Sequence, residues 1–323
     1  MYSIEPKELP IVEVHKLLLS GVAPRPIALV STRSGDGINN LAPYSFFNAF
    51  GANPPVVAFS PARRGRDASL KDTYNNLMES KECVIQAVTH SMLHQINLAS
   101  CEYDSSIDEF ERAGFTPIDS DIVAPKRVLE SPFQMECKLY QMVNVGEENA
   151  SGNLAICEVV KFHVADELMS DTKIFDPNMI DLVGRNGGAY YTRASGHAVF
   201  PVDKPGSILG IGFKGLPKFM THSKVFTGND LARFALVDKM PSRKTTKSFF
   251  NNVDVGEPSE SSFERFSRMK DYQKMLATSL ALVVAKHPRA DVFLERTASV
   301  ALDFDKDFAW KVALYKGMVF DGF

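Results

Sequence analysis

The 323 residues are 45% hydrophobic and 23% charged, which describes an ordinary folded chain, long enough for one large domain or a domain with a sizeable extension. A formal net charge of −3 gives no electrostatic case for DNA, RNA or anionic lipid as partner. No apolar run reaches the roughly 18 residues of a membrane span, and the opening Met-Tyr-Ser-Ile-Glu-Pro lacks a basic-then-apolar leader, so a cytoplasmic protein without a membrane partner is expected.

In chain order, residues 26–32 (Pro-Ile-Ala-Leu-Val-Ser-Thr) and 55–61 (Pro-Val-Val-Ala-Phe-Ser-Pro) read as short strands. Residues 69–80 have helical spacing in Leu70, Tyr74 and Leu77, with Asp67 or Ser69 as cap. A strand over 82–89, a helix over 90–100 and an acidic surface segment over 103–112 follow. Residues 133–145 and 154–165 are long β stretches joined across 146–149, the spacing of an antiparallel hairpin. This rhythm, with only two helices inserted, predicts a closed antiparallel barrel and not alternating βαβ units. The character changes near residue 200, which divides the chain into residues 1–200 and an extension over 201–323. In the extension, residues 230–237 and 263–286 look helical, 240–262 looks like a long polar loop, and 291–302 and 309–319 look like strands, a mixed α/β extension.

Several motifs lack the context their chemistry needs. Gly210-Ile211-Gly212-Phe213-Lys214-Gly215 matches a dinucleotide fingerprint and follows a strand-like 207–209, but Pro217 stands where a helix must open, so a glycine-rich turn is the better reading. His90 and His94 share a helix face without the glutamate of a zinc hydrolase. Cys83, Cys101, Cys137 and Cys157 have no close pair, which suits small buried side chains better than zinc ligands, and no metal is expected. Asn149-Ala150-Ser151 fits a glycosylation sequon but means little without a secretory route.

Three stretches suit a ligand. Residues 40–49 run Asn-Leu-Ala-Pro-Tyr-Ser-Phe-Phe-Asn-Ala between two strands. Ser45, Phe46, Phe47 and Asn48 offer hydroxyl, amide and backbone donors beside flat apolar faces, as a flavin ring requires and as a buried loop with core aromatics would also show. Arg63, Arg64, Arg66 and Lys71 gather at the expected helix start, where free amides and the helix dipole favour an anion and Thr73 adds a hydroxyl; a solvated basic face is the alternative. Residues 184–193 pair glycines with Tyr190, Tyr191, Arg185 and Arg193, fit for close approach and stacking, or for a surface loop covering a barrel end.

Taken in order, Arg25-Pro26-Ile27-Ala28 with Val30-Ser31-Thr32, the 40–49 stretch, Lys71-Asp72-Thr73 with Asn76, Asn97-Leu98-Ala99-Ser100, Asp108-Glu109-Phe110 with Ala113-Gly114, Glu130-Ser131-Pro132 with Glu136-Cys137-Lys138-Leu139, Glu158-Val159-Val160 and 185–191 resemble the flavin reductase-like, FMN-binding split-barrel family. The resemblance spans about residues 10–200 and is specific to the family, not to one reaction. It implies a Greek-key split β-barrel over 1–200, a homodimer, and FMN in clefts near the interface. Ser45, Phe46, Phe47 and Asn48 would hold the ring system, and Ser60 would lie along the ribityl chain or near the phosphate. Lys71, Asp72 and Thr73, with Arg64 or Arg66, would border the phosphate. Tyr190 and Tyr191 would lie near the ring, contributed by either subunit.

The same resemblance implies an NAD(P)H-dependent flavin reductase that delivers hydride to FMN and supplies a monooxygenase or another electron acceptor. An FMN-bound electron carrier without nicotinamide turnover, an oxidase akin to the pyridoxamine-phosphate oxidases, and a barrel that binds no flavin remain as alternatives. No triad or carboxylate pair is evident. His197 is the one nearby histidine with a possible substrate contact, and a structural role is its other reading.

Overall fold

The computed structural model describes residues 1–202 and 204–323. They form two compact units, Met1–Pro201 and Val202–Phe323.

The first unit opens with helix α1 (Ile11–Gly21) and is built on strands β1 (Ala28–Arg33), β2 (Asn39–Tyr44), β3 (Phe47–Ala52), β4 (Pro55–Phe59), β5 (Glu82–Ala87), β8 (Phe133–Asn144) and β9 (Asn153–Val164). Between them lie α2 (Asp72–Ser80), α3 (Leu93–Ala99), α4 (Glu109–Ala113) and the two-residue strands β6 (Pro117–Ile118) and β7 (Arg127–Val128). Helix α5 (Pro177–Ile180) and the ribbon β10 (Val183–Arg185)–β11 (Tyr191–Arg193) complete the unit.

The seven long strands form one antiparallel sheet in the order β2-β1-β5-β8-β9-β4-β3. Strands β2 and β3 therefore lie at opposite edges, although only Ser45 and Phe46 separate them in the chain. Six strand spacings in a flat sheet would put the edges roughly 29 Å apart, whereas three peptide links reach about 11 Å. The sheet must curl until its edges meet at Ser45–Phe46 without pairing, which is a split barrel.

Inside the barrel, Ala28, Val30, Phe59, Cys83, Ile85, Cys137 and Cys157 form a dry core. On the outer side, Leu29 and Leu41 pack with Met92, Ile96 and Phe110 beneath α3 and α4. Strand β1 is buried on both faces from Ala28 to Thr32, which is why its apolar residues Ala28, Leu29 and Val30 run consecutively and do not alternate.

The local expectations need four corrections here. Residues 40–49 do not lie between two strands: they are most of β2, a two-residue corner and the start of β3. Helix α2 starts at Asp72 with Lys71 as its N-cap, not near Ser69. The helix read over 90–100 opens with a one-turn 3-10 segment, His90–Met92, before α3. The acidic 103–112 segment is not all surface, because α4 buries Glu109 and Phe110.

The second unit is helical throughout its regular structure. Its elements are α6 (Gly212–Gly215), α7 (Lys218–Thr221), α8 (Gly228–Ala235), α9 (Arg243–Phe250), α10 (Glu260–Arg268), α11 (Tyr272–Val284), α12 (Ala290–Ala301) and α13 (Lys306–Phe320). The strands expected over 291–302 and 309–319 are α12 and α13, and the expected loop over 240–262 contains α9. Helix α12 buries Phe293, Leu294, Thr297, Ala298 and Ala301, the helical spacing that a generally apolar segment had obscured. The long helix expected over 263–286 is broken at Lys270, whose φ of 54° lies in the left-handed region. Residues 207–209 are not a strand.

Candidate active site groove

Two hollows run along the split edge of the first unit and share Pro43, Tyr44 and Ser100. One, of about 140 Å³, is lined by Arg64, Lys71, Asp72, Thr73 and Glu102. The other, of about 170 Å³, is lined by Ser45, Asn97, Arg185 and Tyr191. Sharing these three wall residues, the two neighbouring hollows line a stretch, here called the groove, from the start of α2 to the β2–β3 corner.

The first end is built for an anion. Helix α2 has no side-chain cap, so the first-turn amides of Asp72 and Thr73 face out of the helix without a partner from the cap residue. Lys71 has no carboxylate within ion-pair distance among the described residues, and burial followed by the nearby Arg64 charge lowers its pKa. Arg64 is steered by Leu70 O at 2.6 Å and Ser69 Oγ at 3.3 Å, with only long contacts to Asp72 (3.7 Å) and Glu102 (3.9 Å). A bound anion would offset both cations.

A buried polar network fixes this end. The Thr73 hydroxyl donates to Asn40 Oδ1 at 2.7 Å, Thr32 Oγ1 donates to the same oxygen at 3.1 Å, and Asn76 donates to Thr32 at 3.0 Å. Asn40 Nδ2 and the Leu41 amide in turn donate to Glu109, at 3.1 and 2.9 Å. Thr73 therefore lines the groove with its hydroxyl already committed, so its contribution to an anion comes from the backbone. Burial raises the Glu109 pKa.

Above the network, the Tyr44 hydroxyl is buried without a hydrogen-bond partner, and burial raises its pKa. Thr73 lies close enough to oppose this shift, and a buried phenol that stays protonated without a partner of normal geometry has a donor left to offer.

At the corner, Arg25 is 4% exposed. Its guanidinium donates to Leu19 O at 2.6 Å, to Val22 O, to Asn186 O at 3.2 Å and to Ser45 Oγ at 3.4 Å. Its backbone pairs with that of Arg185 through two bonds of 2.9 and 2.8 Å. The Arg185 guanidinium covers the Tyr191 ring at 4.5 Å, and the Tyr191 hydroxyl donates to Asn97 Oδ1 at 3.3 Å. Neither arginine forms an ion pair among the described residues, so this end of the groove is also positive. Gly184 permits the close approach, since a Cβ there would lie 2.8 Å from Pro24 Cβ.

Of the residues singled out from sequence, Ser45, Arg64, Lys71, Asp72, Thr73 and Tyr191 line the groove. Phe47 and Asn48 face a separate, largely apolar cavity of about 580 Å³ with Ile27, Val57, Phe133 and Phe162. Asn48 Oδ1 accepts from the Ala49 amide at 2.8 Å. Phe46 is half-exposed with its edge toward His15, and Ser60 supports the corner through its amide, 2.9 Å from Phe46 O. Arg66 does not line the hollow itself: it pairs with the lining residue Glu102 at 2.6 Å and with Asp67 at 3.1 Å. Tyr190 and His197 are exposed and line neither hollow of their own chain. Sequence reasoning gave no role to Arg25, Asn40, Tyr44, Asn97 or Glu109. The signal available for Asn40 and Glu109 was a polar side chain beside apolar ones, which is common and does not name a partner.

Residues 20–184 match the family model described as "Flavin reductase like domain". An uncharacterised protein of Aquifex aeolicus is 36% identical over 189 residues, covering 58% of this chain and 94% of that protein. Nitrilotriacetate monooxygenase component B from Bacillus cereus is similar in structure, with a TM-score of 0.57 and 33% identity over 60% of this chain and 95% of that one. So is 2-nitrobenzoate 2-nitroreductase from Pseudomonas fluorescens, with a TM-score of 0.55 and 28% identity over 62% and 96% of the two chains.

Proposed function

The chain belongs to the flavin reductase like family of flavin-related oxidoreductases, and from that premise we propose that it binds FMN along the groove, phosphate at Lys71 and ring system at Ser45, and reduces it with NAD(P)H. The single observation that carries this reading is the set of polar groups with open valences around two neighbouring hollows: Lys71 without an ion pair among the described residues, the uncapped start of α2 and the Tyr44 hydroxyl without a hydrogen-bond partner. All three match a phosphorylated ligand with carbonyl oxygens.

Bound flavin would supply the redox chemistry, taking hydride from the nicotinamide and passing electrons onward. The protein's share is binding and orientation. Lys71, Arg64 and the Asp72 and Thr73 amides hold the anionic tail. Tyr44 donates a hydrogen bond midway. Ser45, whose oxygen accepts from Arg25, would have its hydroxyl proton free to donate to the ring system. Arg25 and Arg185 favour negative charge at that end. The absence of an acid–base pair from this scheme is consistent with positioning and water exclusion as the protein's contribution.

We further propose a homodimer. Strand β3 is exposed along Asn48–Ala52, with Phe50 68% and Phe46 38% exposed, an apolar edge that a second copy would cover. Tyr190, 74% exposed, would then reach the groove of the partner copy. The likeness to a monooxygenase component suggests a monooxygenase as electron acceptor.

Titration of the purified protein with FMN, followed by flavin fluorescence, tests the binding step. Saturable quenching with one site per chain is expected, and unchanged fluorescence at saturating protein overturns the assignment. Bleaching of the bound flavin by NADH or NADPH under nitrogen then tests the reductase step, and flavin that stays oxidised removes it.

A further inference from the structure

The net charge of the whole chain conceals an uneven distribution. Residues 1–201 carry seventeen Lys and Arg against twenty-five Asp and Glu, whereas residues 202–323 carry nineteen against fourteen. The excess is concentrated in residues 201–253, with nine Lys and Arg, three Asp and no Glu. Of those nine cations, only Arg233 is in an ion pair among the described residues, with Asp303 at 2.8 Å. Lys214, Lys218, Lys239, Arg243, Lys244 and Lys247 are exposed.

Lys214 lies within the glycine-rich motif that failed as a dinucleotide site, and Lys218 and Lys239 lie near it, three residues beyond Gly215 and two beyond the Val237 contact with Ile211. Gly210 and Gly212 have φ of 66° and 64°, the left-handed region that glycine tolerates best. A Cβ on Gly210 would stand 3.0 Å from Ala235 O, and one on Gly215 would stand 2.7 Å from Ile211 Cβ. The Ile211 amide donates to Val237 O at 2.9 Å, and its side chain packs into the helical core. The glycines thus pin Ile211 inward and turn its neighbours outward: Leu209 is 97% exposed, Phe213 50% and Ile208 40%.

Several basic residues are tied to this tip by chain proximity or by contacts. Lys214 follows Phe213, and Lys239 follows the Val237 contact by two residues. Lys218 and Arg243 flank an aromatic pair, with Phe219 against Phe323 at 5.3 Å and the Arg243 guanidinium over Phe323 at 5.1 Å. Lys244 and Lys247 continue the basic surface along α9.

We propose that this face of the second unit docks on an anionic phospholipid surface, inserting Leu209 and Phe213 among the acyl chains while the lysines and arginines meet the headgroups. Exposed aliphatic side chains contribute nothing against a sugar–phosphate backbone, but in a bilayer interface they leave water. The cations without carboxylate partners complement the negative potential of the headgroup layer. The association is peripheral, since no helix among the described residues is long and apolar enough to cross a membrane.

Co-sedimentation of the full chain with vesicles tests this, independently of flavin. Binding is expected to vesicles of phosphatidylcholine mixed with phosphatidylserine, weakly or not at all to phosphatidylcholine alone, and less at high salt. The double substitution Leu209→Glu with Phe213→Glu should weaken binding by roughly tenfold or more, and Arg243→Glu with Lys244→Glu and Lys247→Glu by a similar factor. These side chains are exposed, and circular dichroism checks that the variants fold. Failure of the wild type to bind the mixed vesicles overturns the proposal. So does binding indifferent to the Leu209 and Phe213 changes, or binding of a DNA duplex as tight as that of the vesicles, which would mark a general polyanion surface.

Discussion

The Lys71 ammonium lies 5.1 Å from the centroid of the Tyr44 ring, so the cap of α2 sits directly over the last residue of β2. This contact joins the anion end of the groove to the corner that follows Tyr44, and it leaves the charge without a carboxylate partner.

Lys71→Met should therefore weaken FMN binding by roughly tenfold to a hundredfold, the loss of a charge-assisted contact. It should not lower thermal stability, because a buried cation without a counter-charge is removed. Fluorescence titration measures the first effect and thermal unfolding the second. An unchanged affinity would detach Lys71 from the phosphate.

Asn40→Leu should destabilise the first unit. It leaves Thr73 Oγ1, Thr32 Oγ1 and one Glu109 oxygen without the bonds they now make. A loss of about 2–4 kcal/mol is expected from buried groups left unpaired, measurable by urea denaturation. FMN binding should weaken along with it, because the same network anchors the start of α2.

Arg185→Gln removes one of two positive charges near Ser45. Burial, then the neighbouring Arg185, lowers the Arg25 pKa, so the two charges repel and the site favours an added negative charge. The variant should bind reduced flavin less well relative to oxidised flavin. The midpoint potential of bound flavin should fall, by about 30 mV for each tenfold change in that ratio for a two-electron couple. Spectroelectrochemistry provides the measurement, and an unmoved potential would limit Arg185 to a structural role.

Glu136 gives the first unit a pH dependence. Burial acts to raise its pKa. The amides of Asp121 (2.8 Å), Ile122 (2.7 Å) and Val123 (2.9 Å), together with His163 Nε2 (2.6 Å), outweigh burial and bring the carboxyl to about 2. A depressed folded-state pKa stabilises above the unfolded-state value and is lost as pH falls through the folded one. Stability should therefore decline from about pH 5 toward pH 2, by about 2–3 kcal/mol from this group. Glu136→Gln should flatten that part of the profile of urea midpoint against pH.

In the second unit, Lys316 reaches Glu295 and Asp321 at 3.0 Å each, with Lys316 and Glu295 almost fully buried. Glu295→Ala leaves Lys316 with one partner and should cost about 3–5 kcal/mol. A calorimetric transition for that unit that does not shift would contradict this.

Strand positions in the first unit were legible because period, prolines and turn residues are local, and the long hairpin β8–β9 is the clearest case. Helices α12 and α13 were not, because apolar residues outnumber the polar ones that mark a helix face when several sides are buried. Residues 40–49 are recognisable in sequence as a stretch that suits a ligand, but not as parts of two strands, since nothing local says that β2 and β3 belong to opposite edges.

What the sequence by itself determined is the family, the antiparallel barrel and the chemical types at the groove, because hydrophobic period and short ordered motifs are properties of neighbouring residues. Only the tertiary structure decided which side chains share one hollow. It brought Lys71 against Tyr44, committed the Thr73 hydroxyl to Asn40, paired Arg66 with Glu102, and gave Phe47 and Asn48 to a different cavity. Such juxtapositions follow from the curl of a seven-stranded sheet, in which residues far apart in sequence become neighbours through long-range pairing that no local pattern encodes.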